Sequence, residues 1–321
     1  AVARRTVLGA LLLTGTVAMG QVKYPDGPIR MIVPFAAGGG VDNAARLIAK
    51  QLGTQLNVPV IVENKPGANG SVGGKAVQLA HADGQTILFS ASTQALVRQV
   101  MANPPYDPAT DFAYVARVGA APLLMVISPG LPQSKLSDVM AAAKQSPDQW
   151  TAALPAMGAA SHLGTLMFAK QGGLTNLTTA VYKGTAPALT DVAGGHVQIQ
   201  IDSIVSLQGM AKSAKVKPII VTSAKRSAVM PNVPTAVESG FPKFVAESWY
   251  GVWAPKNTPT DRVQLLNKAI NDAVRQLAKS GAFEPLGIDP VTESIDDFRK
   301  YMAAYITESS ELLKGAGFKP E

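Results

Sequence analysis

The chain of 321 residues contains no cysteine and only three histidines. The absence of cysteine excludes disulfide bonds, thiolate metal sites and cysteine nucleophiles. His81, His162 and His196 are far apart in the sequence, so a zinc centre is not expected. Apolar residues make up 47% of the chain, which is enough for a sizeable core and excludes wholesale disorder. The length predicts about two domains.

Charged residues are also scarce, and the net charge of +7 comes from 29 lysines and arginines against 22 acidic residues. The basic residues are scattered and form no stripe with stacking aromatic side chains, so no nucleic-acid partner is expected. Proline or a charged residue interrupts every apolar run after the N-terminal segment. No later segment therefore reaches the roughly 20 apolar residues that a membrane helix needs.

The N-terminal segment, residues 1–20, is predicted to be a signal peptide. Arg4 and Arg5 precede an uncharged apolar run, residues 7–20, which is shorter than the roughly 20 residues of a membrane span. A basic start, a short apolar stretch and small residues at its end are typical of secretory signals. Residues 1–20 carry two arginines and no acid, so their removal lowers the net charge from +7 to +5. The mature protein is therefore expected to be exported, and the alternative is a buried N-terminal helix.

Short apolar runs alternate with amphipathic helical patterns along the rest of the chain. In residues 42–56, apolar side chains recur with a period near 3.6, which predicts a helix. This alternation predicts an α/β fold with largely parallel sheets. The predicted strands are 29–35, 58–62, 86–90, 122–127, 151–154, 179–183, 197–202, 218–223 and 248–254. The predicted helices are 42–56, 73–82, 93–102, 138–145, 161–171, 186–193, 203–213, 258–280 and 295–313.

The end of the chain predicts two lobes joined by two crossings. Helices 258–280 and 295–313 have little strand of their own, so they must pack on a sheet that is already formed. We therefore expect the chain to return to its first domain near Gly251. The predicted lobes are residues 22–121 together with 252–321, and residues 122–251. A ligand cleft between them is a natural consequence of this arrangement.

The glycine-rich segment from Phe35 to Asp42 ends a strand and opens a helix. Glycines allow a ligand to approach the backbone, and the free N–H groups of a helix start favour an anion. Asp42 is the predicted N-cap of this helix. The alternative is a strand-to-helix turn with no ligand. Dinucleotides and ATP are not expected, because the spacing matches neither the G-x-G-x-x-G nor the Walker pattern.

A second segment, residues 182–187, has the same form. Thr185 is its predicted helix N-cap, and Lys183 adds a charge beside it unless the lysine is simply solvated. Two such helix starts, one in each lobe, could hold a carboxylate between them. Weaker candidates are the hydroxyl and imidazole groups at other strand ends, namely Ser90, Ser92, Thr93, Ser161 and His162. Asp202 ends a strand and would either line the cleft or brace a hinge.

No set of residues assembles a catalytic acid, base and nucleophile. Ser161 and His162 are adjacent in the sequence and do not face each other as a nucleophile and its base would. The chain also lacks a G-x-S-x-G nucleophile elbow. A site built from backbone donors and hydroxyls predicts a binding protein that is not an enzyme and needs no cofactor.

Six segments in this order resemble the Bug/TctC family, whose members are periplasmic solute receptors of tripartite tricarboxylate transporters. The resemblance covers nearly the whole mature chain. The segments are VPFAAGGGVDNAARLIAKQL, VENKPGANGSVGG, GAASHLGTLMFAKQGG, YKGTAPALTDVAGGHVQIQIDS, VTSAKRSAVMPNVPTAVESG and ESWYGVWAP.

The resemblance implies a type II periplasmic-binding-protein fold, in which two α/β lobes close over a small carboxylate. It implies a ligand held by backbone groups and ordered water rather than by an arginine clamp. Val41 stands where many relatives carry a hydroxyl, which favours a more apolar or aromatic acid over a short dicarboxylate. The ligand-binding residues expected from the two loops and the further strand ends are Phe35, Ala36, Ala37, Gly38, Gly39, Gly40, Asp42, Ser90, Ser92, Thr93, Ser161, His162, Tyr182, Lys183, Gly184, Thr185 and Asp202.

The expected function is capture of a small organic carboxylate and its delivery to membrane transporter subunits, by a monomer. One alternative is a loaded receptor that docks on a signalling protein instead of a transporter. The other is an exported hydrolase or lyase on the same fold, which the missing acid–base set argues against.

Overall fold

A computed structural model describes residues 24–321, and the predicted signal peptide lies outside these residues. The described chain alternates strands and helices, as the sequence predicted, but its sheet is mixed and not largely parallel, because long-range pairing adds antiparallel strands to the parallel ones. The strands are β1 (Ile29–Val33), β2 (Val60–Asn64), β3 (Thr86–Ala91), β4 (Phe112–Ile127), β5 (Thr151–Leu154), β6 (Thr178–Val181), β7 (Ile199–Ser203), β8 (Lys217–Val221), β9 (Glu247–Pro255) and β10 (Asp289–Pro290). The helices are α1 (Gly40–Leu56), α2 (Ser71–Gln78), α3 (Val97–Val100), α4 (Leu136–Gln145), α5 (Ala160–Gly172), α6 (Thr185–Ala193), α7 (Ile204–Lys212), α8 (Thr260–Lys279) and α9 (Ile295–Gly315).

One part of the sheet has the strand order β2-β1-β3-β9-β4. β1 pairs in parallel with β2 and β3, whereas β9 runs antiparallel to both β3 and β4. Helix α1 buries Ala44, Ala45, Ile48 and Leu52, so its predicted apolar face is confirmed. The parallel strands place their C-terminal ends at one edge, where α/β folds bind ligands.

The other part has the order β4-β7-β5-β6, with β8 on the far side of β4. β5 pairs in parallel with β6 and β7, and β4 runs antiparallel to β7 and β8. Helices α5, α6 and α7 follow strands β5, β6 and β7 along the chain. The starts of these helices therefore lie at the C-terminal edge of the second group of strands.

Strand β4 belongs to both parts of the sheet. Its residues from Phe112 to Pro122 pair with β9, and its residues from Leu123 to Ile127 pair with β7 and β8. The sequence predicted only the second half of this strand, residues 122–127. In the first half, Arg117 and Gly119 interrupt the apolar pattern, and its pairing with β9 extends the strand through them.

Two other predicted elements differ from the structure. Residues 93–102 form a 3-10 turn over Ser92–Leu96 followed by the single turn α3, not one helix. Every residue of 92–97 is buried, so the segment has no polar face and its backbone follows the surrounding packing. Helix α8 has Pro259 as its N-cap, not Thr258, whose hydroxyl donates to the Pro255 carbonyl at 2.8 Å.

An aromatic cluster attaches the C-terminal helix α9 to β9. Trp249 and Trp253 are fully buried and both contact the ring of Phe298, at centroid distances of 5.9 and 5.4 Å. Each such ring buries a large apolar area, and their tilted and edge-on contacts add to the stability.

Among residues 24–321, no helix is both long enough and apolar enough to cross a bilayer.

Candidate functional site

The loop between β1 and α1 depends on a glycine for its conformation and is held in place by the side chain of Asp42. Gly38 has a φ of +84°, a left-handed conformation that favours glycine. Gly39, not the predicted Asp42, is the N-cap of α1. Asp42 lies in the first turn, and its carboxylate accepts a hydrogen bond from the Gly38 N–H at 2.9 Å. The Asp42 side chain, from within the first turn of α1, therefore holds the loop that precedes the helix.

The Asp42 carboxylate is buried and is held by two further side chains. Arg46 donates to its Oδ2 at 3.0 Å and Asn64 donates to its Oδ1 at 2.9 Å. Burial by itself would raise the pKa of Asp42, but the hydrogen bonds from Arg46, Gly38 and Asn64 keep that pKa below its ordinary value. Asn64 also donates to the Phe35 carbonyl at 3.0 Å. Asp42 thus supports the loop and does not line the cavity described below.

The loop between β6 and α6 faces the first loop. Gly184, with a φ of +138°, is the N-cap of α6 in place of the predicted Thr185. A side chain at Gly184 would lie 3.5 Å from the backbone nitrogen of Ala36. Thr185 begins the helix, and its hydroxyl donates to Oδ2 of Asp202 at 2.6 Å. The threonine is therefore bound to a neighbouring strand end instead of capping its own helix.

Four helix N-termini meet at one cavity. The cavity is lined by Gly39 and Gly40 at the start of α1, Ala160 at the start of α5, Thr185 of α6 and Ser203, which is the N-cap of α7. The first N–H groups of a helix have no partner within the helix, and the helix dipole is positive at that end. Their convergence makes the cavity favourable for an anion.

The cavity has a polar and an apolar side, and the space inside it is narrow, about 30 Å³. Phe35 and Ala159 pack together at one side with Val41 against them. The lining also contains hydroxyl groups, among which Ser203 and Tyr250 are hydrogen bonded to each other at 2.9 Å. The full lining is Phe35, Ala36, Gly39, Gly40, Val41, Ala91, Thr93, Pro155, Ala159, Ala160, Thr185, Asp202, Ser203, Ser206, Ser248 and Tyr250.

Asp202 is the buried acidic group of this cavity. Its Oδ1 accepts a hydrogen bond from the Ser203 N–H at 2.8 Å, in addition to the Thr185 bond at Oδ2. Burial raises the pKa of Asp202 to about 6, and its hydrogen bonds partly oppose that shift. The carboxylate therefore binds the starts of both α6 and α7.

The structure divides the predicted site residues into two groups. Those that line the cavity are Phe35, Ala36, Gly39, Gly40, Thr93, Thr185 and Asp202. Those outside its lining are Ala37, Gly38, Asp42, Ser90, Ser92, Ser161, His162, Tyr182, Lys183 and Gly184. Tyr182 and Lys183 line a neighbouring surface cavity, which also shares Phe35. Sequence reasoning missed the contributions of Ala91, Pro155, Ala159, Ala160, Ser203, Ser206, Ser248 and Tyr250.

The described contacts give His162 a structural partner in the turn before α5. His162 is buried, and its Nδ1 accepts a hydrogen bond from the Gly158 N–H at 3.1 Å. Burial lowers the pKa of His162 to about 4, so the ring is neutral at pH 7. The ring thus fixes the turn before α5, where Gly158 has a φ of +72°.

Comparisons with known proteins agree on one family. The sequence profile described as "Tripartite tricarboxylate transporter family receptor" matches residues 44–318. The chain is 35% identical to Protein BugT of Bordetella pertussis over 98% of this chain and 97% of that protein.

Solved structures share the fold over nearly the whole chain. The periplasmic binding protein BugD is 34% identical, with a TM-score of 0.88 over 93% of this chain and all of BugD. Rpa4515 of R. palustris, solved with adipate, is 30% identical, with a TM-score of 0.89 over 93% of this chain and 100% of that one. These similarities give the described chain the two-lobed α/β fold of periplasmic binding proteins.

Proposed function

The chain belongs to the TctC family of tripartite tricarboxylate transporter receptors, and we propose that it captures a small organic carboxylate between its lobes and delivers it to a transporter of that class. Members of this family are binding receptors, not enzymes, and its solved members include periplasmic binding proteins. The proposed location of this chain is also the periplasm. The short apolar segment after Arg4 and Arg5 supports export.

The observation that carries this proposal is the convergence of four helix starts on one cavity. Gly39, Ala160, Thr185 and Ser203 bring these starts together, and no lysine, arginine or histidine of the described chain lines the same space. Backbone N–H groups can bind a carboxylate without an arginine clamp. The adipate in the related Rpa4515 is a carboxylate of the proposed kind.

We assign the carboxylate of the ligand to the two loops that face each other across the cleft. The loop of residues 35–40 provides its backbone and the start of α1, and Gly184 with Thr185 provides the start of α6. Thr93 and Asp202 contribute polar groups to the same cavity. Asp42 and His162 have supporting roles, because their side chains hold the turns before α1 and α5.

The lobes are proposed to meet at residues 121/122 and 251/252. β4 changes its pairing partners between Pro122 and Leu123, which supports the first boundary. β9 returns the chain from the second group of strands to the first. A hinge at these two strands lets the lobes close on a ligand and present a loaded state to the transporter.

A thermal-shift screen of the chain from Gln21 onward tests the function. The panel contains C4–C8 dicarboxylates, citrate, aromatic acids, amino acids and nucleotides. A ligand at 100 times its Kd adds about 2.7 kcal/mol of stability, which shifts Tm by several degrees. A shift confined to carboxylates supports the receptor, and a clear preference for short aliphatic diacids would contradict the aromatic preference inferred from Val41. A shift with nucleotides alone would overturn the proposal.

A matched pair of variants tests the site. Gly39→Asp places a negative charge at the start of α1, where the ligand carboxylate is proposed to bind, so binding should be abolished. Gly39→Asn has nearly the same size without the charge and should weaken binding far less. Both should fold, because a side chain at Gly39 meets only the Ala36 carbonyl, at 3.6 Å. Unchanged affinity in Gly39→Asp would refute the assigned position.

A further inference from the structure

Asp202 is the only charged side chain that lines the cavity within residues 24–321. A buried charge is ordinarily paired with an opposite charge, because an unpaired one is costly to remove from water. Among the ion pairs of these residues, none includes Asp202. The cavity that is proposed to take an anion thus already contains a carboxylate with no cationic partner.

The resident carboxylate occupies two of the four helix starts. Thr185, at the start of α6, donates to Oδ2 at 2.6 Å, and the N–H of Ser203, the N-cap of α7, donates to Oδ1 at 2.8 Å. Asp202 therefore already places a negative charge beside these two helix starts. At α6 it binds the Thr185 hydroxyl and not the backbone N–H groups, so the backbone donors of α1, α5 and α6 remain available to a ligand carboxylate.

The group of the ligand that faces Asp202 must then be compatible with a carboxylate. A second ionised carboxylate at this end would repel Asp202 in a site of low dielectric. A hydroxyl or an ammonium would instead donate to it, because a carboxylate has about four lone-pair sites and two donors leave some of them available. The surroundings are suitable for a polar group, since Ser203, beside Asp202, is hydrogen bonded to the Tyr250 hydroxyl, and Ser206 adds a further hydroxyl to the lining.

We propose that the ligand carries a hydrogen-bond donor, either a hydroxyl or an ammonium, beside its carboxylate, and that the carboxylate of Asp202 selects this donor. The inference rests on the proposed carboxylate receptor and deepens it by naming the ligand class. It predicts hydroxy acids or amino acids in preference to plain acids of the same length. The raised pKa of Asp202, about 6, leaves the group ionised at pH 7.5, where the test is done.

The test compares acids that differ only in the donor. Isothermal titration at pH 7.5 uses three series: succinate, malate and aspartate; glutarate, 2-hydroxyglutarate and glutamate; propionate, lactate and alanine. Hydroxy acids and amino acids are separate arms, so the data also tell the hydroxyl from the ammonium. The donor-bearing acid of at least one series should bind about tenfold tighter or more than its plain analogue, as for a hydrogen bond to a charged group.

Asp202→Asn then removes the charge while keeping the shape of the side chain. The variant should lose most of the preference for the donor-bearing acid, whereas Asp191→Asn, on the same lobe but outside the cavity lining, should keep it. If plain and donor-bearing acids bind equally well to the unmodified protein, this inference fails and the carboxylate receptor stands. If no acid of these series or of the thermal-shift panel binds, the receptor proposal fails together with the inference. The ligand series needs no variant, so it tests the inference even if Asp202→Asn does not fold.

Discussion

Asn69, in the loop after β2, and Met157, in the loop after β5, form a hydrogen bond from the Met157 backbone N–H to the Asn69 Oδ1 at 3.0 Å. Asn69 has a φ of +55° and Ala68 a φ of +44°, both in the left-handed region that non-glycine residues seldom adopt. Asparagine tolerates this conformation better than most residues. The loop thus holds an unfavourable backbone geometry while the Asn69 side chain binds the loop after β5.

We predict that this hydrogen bond slows ligand release. Asn69→Gly relieves the backbone strain and removes this hydrogen bond, so the ligand should dissociate severalfold faster, as the loss of one neutral hydrogen bond implies. Asn69→Asp keeps an acceptor at the same place and is the matched control, with slow release expected. Stopped-flow measurement of the dissociation rate checks this, and equal rates in Asn69→Gly and the unmodified protein would contradict it.

A second prediction concerns the close approach of α1 and α7. A Cβ at Gly40 would collide with the Ser206 hydroxyl and would lie 3.4 Å from the Tyr250 hydroxyl. Gly40→Ala should therefore hinder closure and weaken ligand binding about tenfold or more, in line with the overpacking of a tight contact. Gly39→Ala is the control, because its Cβ would meet only the Ala36 carbonyl at 3.6 Å.

The double variant distinguishes a local collision from a general loss of structure. Ser206→Ala removes the atom that Gly40→Ala would strike, and the remaining neighbours are at ordinary contact distances. The double variant should therefore recover much of the ligand affinity that Gly40→Ala loses. Titration of the single and the double variant with the ligand would show this. If the double variant binds no better than Gly40→Ala alone, the collision with Ser206 is not the cause.

Much of the fold was predictable because it depends on local pattern. Residues 151–154 form β5 as predicted, and the apolar period in residues 42–56 correctly located most of α1. The N-caps were less predictable, because Asp42 and Thr185 have cap-forming side chains that are used elsewhere. Asp42 reaches back to Gly38, and Thr185 binds Asp202. Side-chain type alone does not reveal such competing partners.

The candidate site was only half predictable for a different reason. Glycine-rich helix starts such as that at Gly39 are visible in the sequence, but the order of strands in the sheet is not. Ser203 and Tyr250 come together because β7 and β9 both flank β4, and this neighbourhood depends on long-range pairing. A serine directly after a predicted strand, at the first position of a predicted helix, was the one local signal for Ser203.

A third prediction concerns the buried ion pair between Arg117 and Glu293. The guanidinium donates two hydrogen bonds to the carboxylate, both at 3.0 Å, and it lies 3.6 Å from the centre of the Tyr301 ring. The two side chains are only 15% and 13% exposed. Glu293→Gln should lower the free energy of unfolding by about 2 kcal/mol, because the mostly buried guanidinium loses its hydrogen bonds to a charged group.

Urea denaturation measures this loss, and an exposed ion pair provides the control. Arg226 and Glu238 are also hydrogen bonded, but their side chains are 45% and 47% exposed. Glu238→Gln should therefore change the stability very little. Equal effects of Glu293→Gln and Glu238→Gln would show that burial does not determine how much the Arg117–Glu293 pair contributes to the free energy of unfolding.

The last prediction follows from the buried ring of His162 and concerns acid stability. The pKa of His162 is about 4 in the folded protein against an ordinary value of 6.5. The unfolded chain therefore binds a proton first as the pH falls, so the stabilising contribution of the neutral ring is present above pH 6.5 and is lost between pH 6.5 and 4. The shift corresponds to roughly 3 kcal/mol. Asp202, whose pKa is raised, acts in the opposite direction over part of this range.

His162→Asn separates the two groups, because the asparagine oxygen can still accept the Gly158 N–H while Asp202 is unchanged. The variant loses the contact with the Phe318 ring, 5.1 Å away, so it should be less stable at pH 7.5. As the pH falls to 4, the unmodified protein loses roughly 3 kcal/mol of stability that the variant does not lose, so the difference in free energy of unfolding should shrink. A variant that is less than roughly 3 kcal/mol weaker at pH 7.5 should become the more stable protein at pH 4. His81→Asn, at an exposed position, controls for the removal of a histidine. Urea denaturation across this pH range is the measurement, and a difference between the unmodified protein and His162→Asn that does not change with pH would contradict a neutral, buried ring.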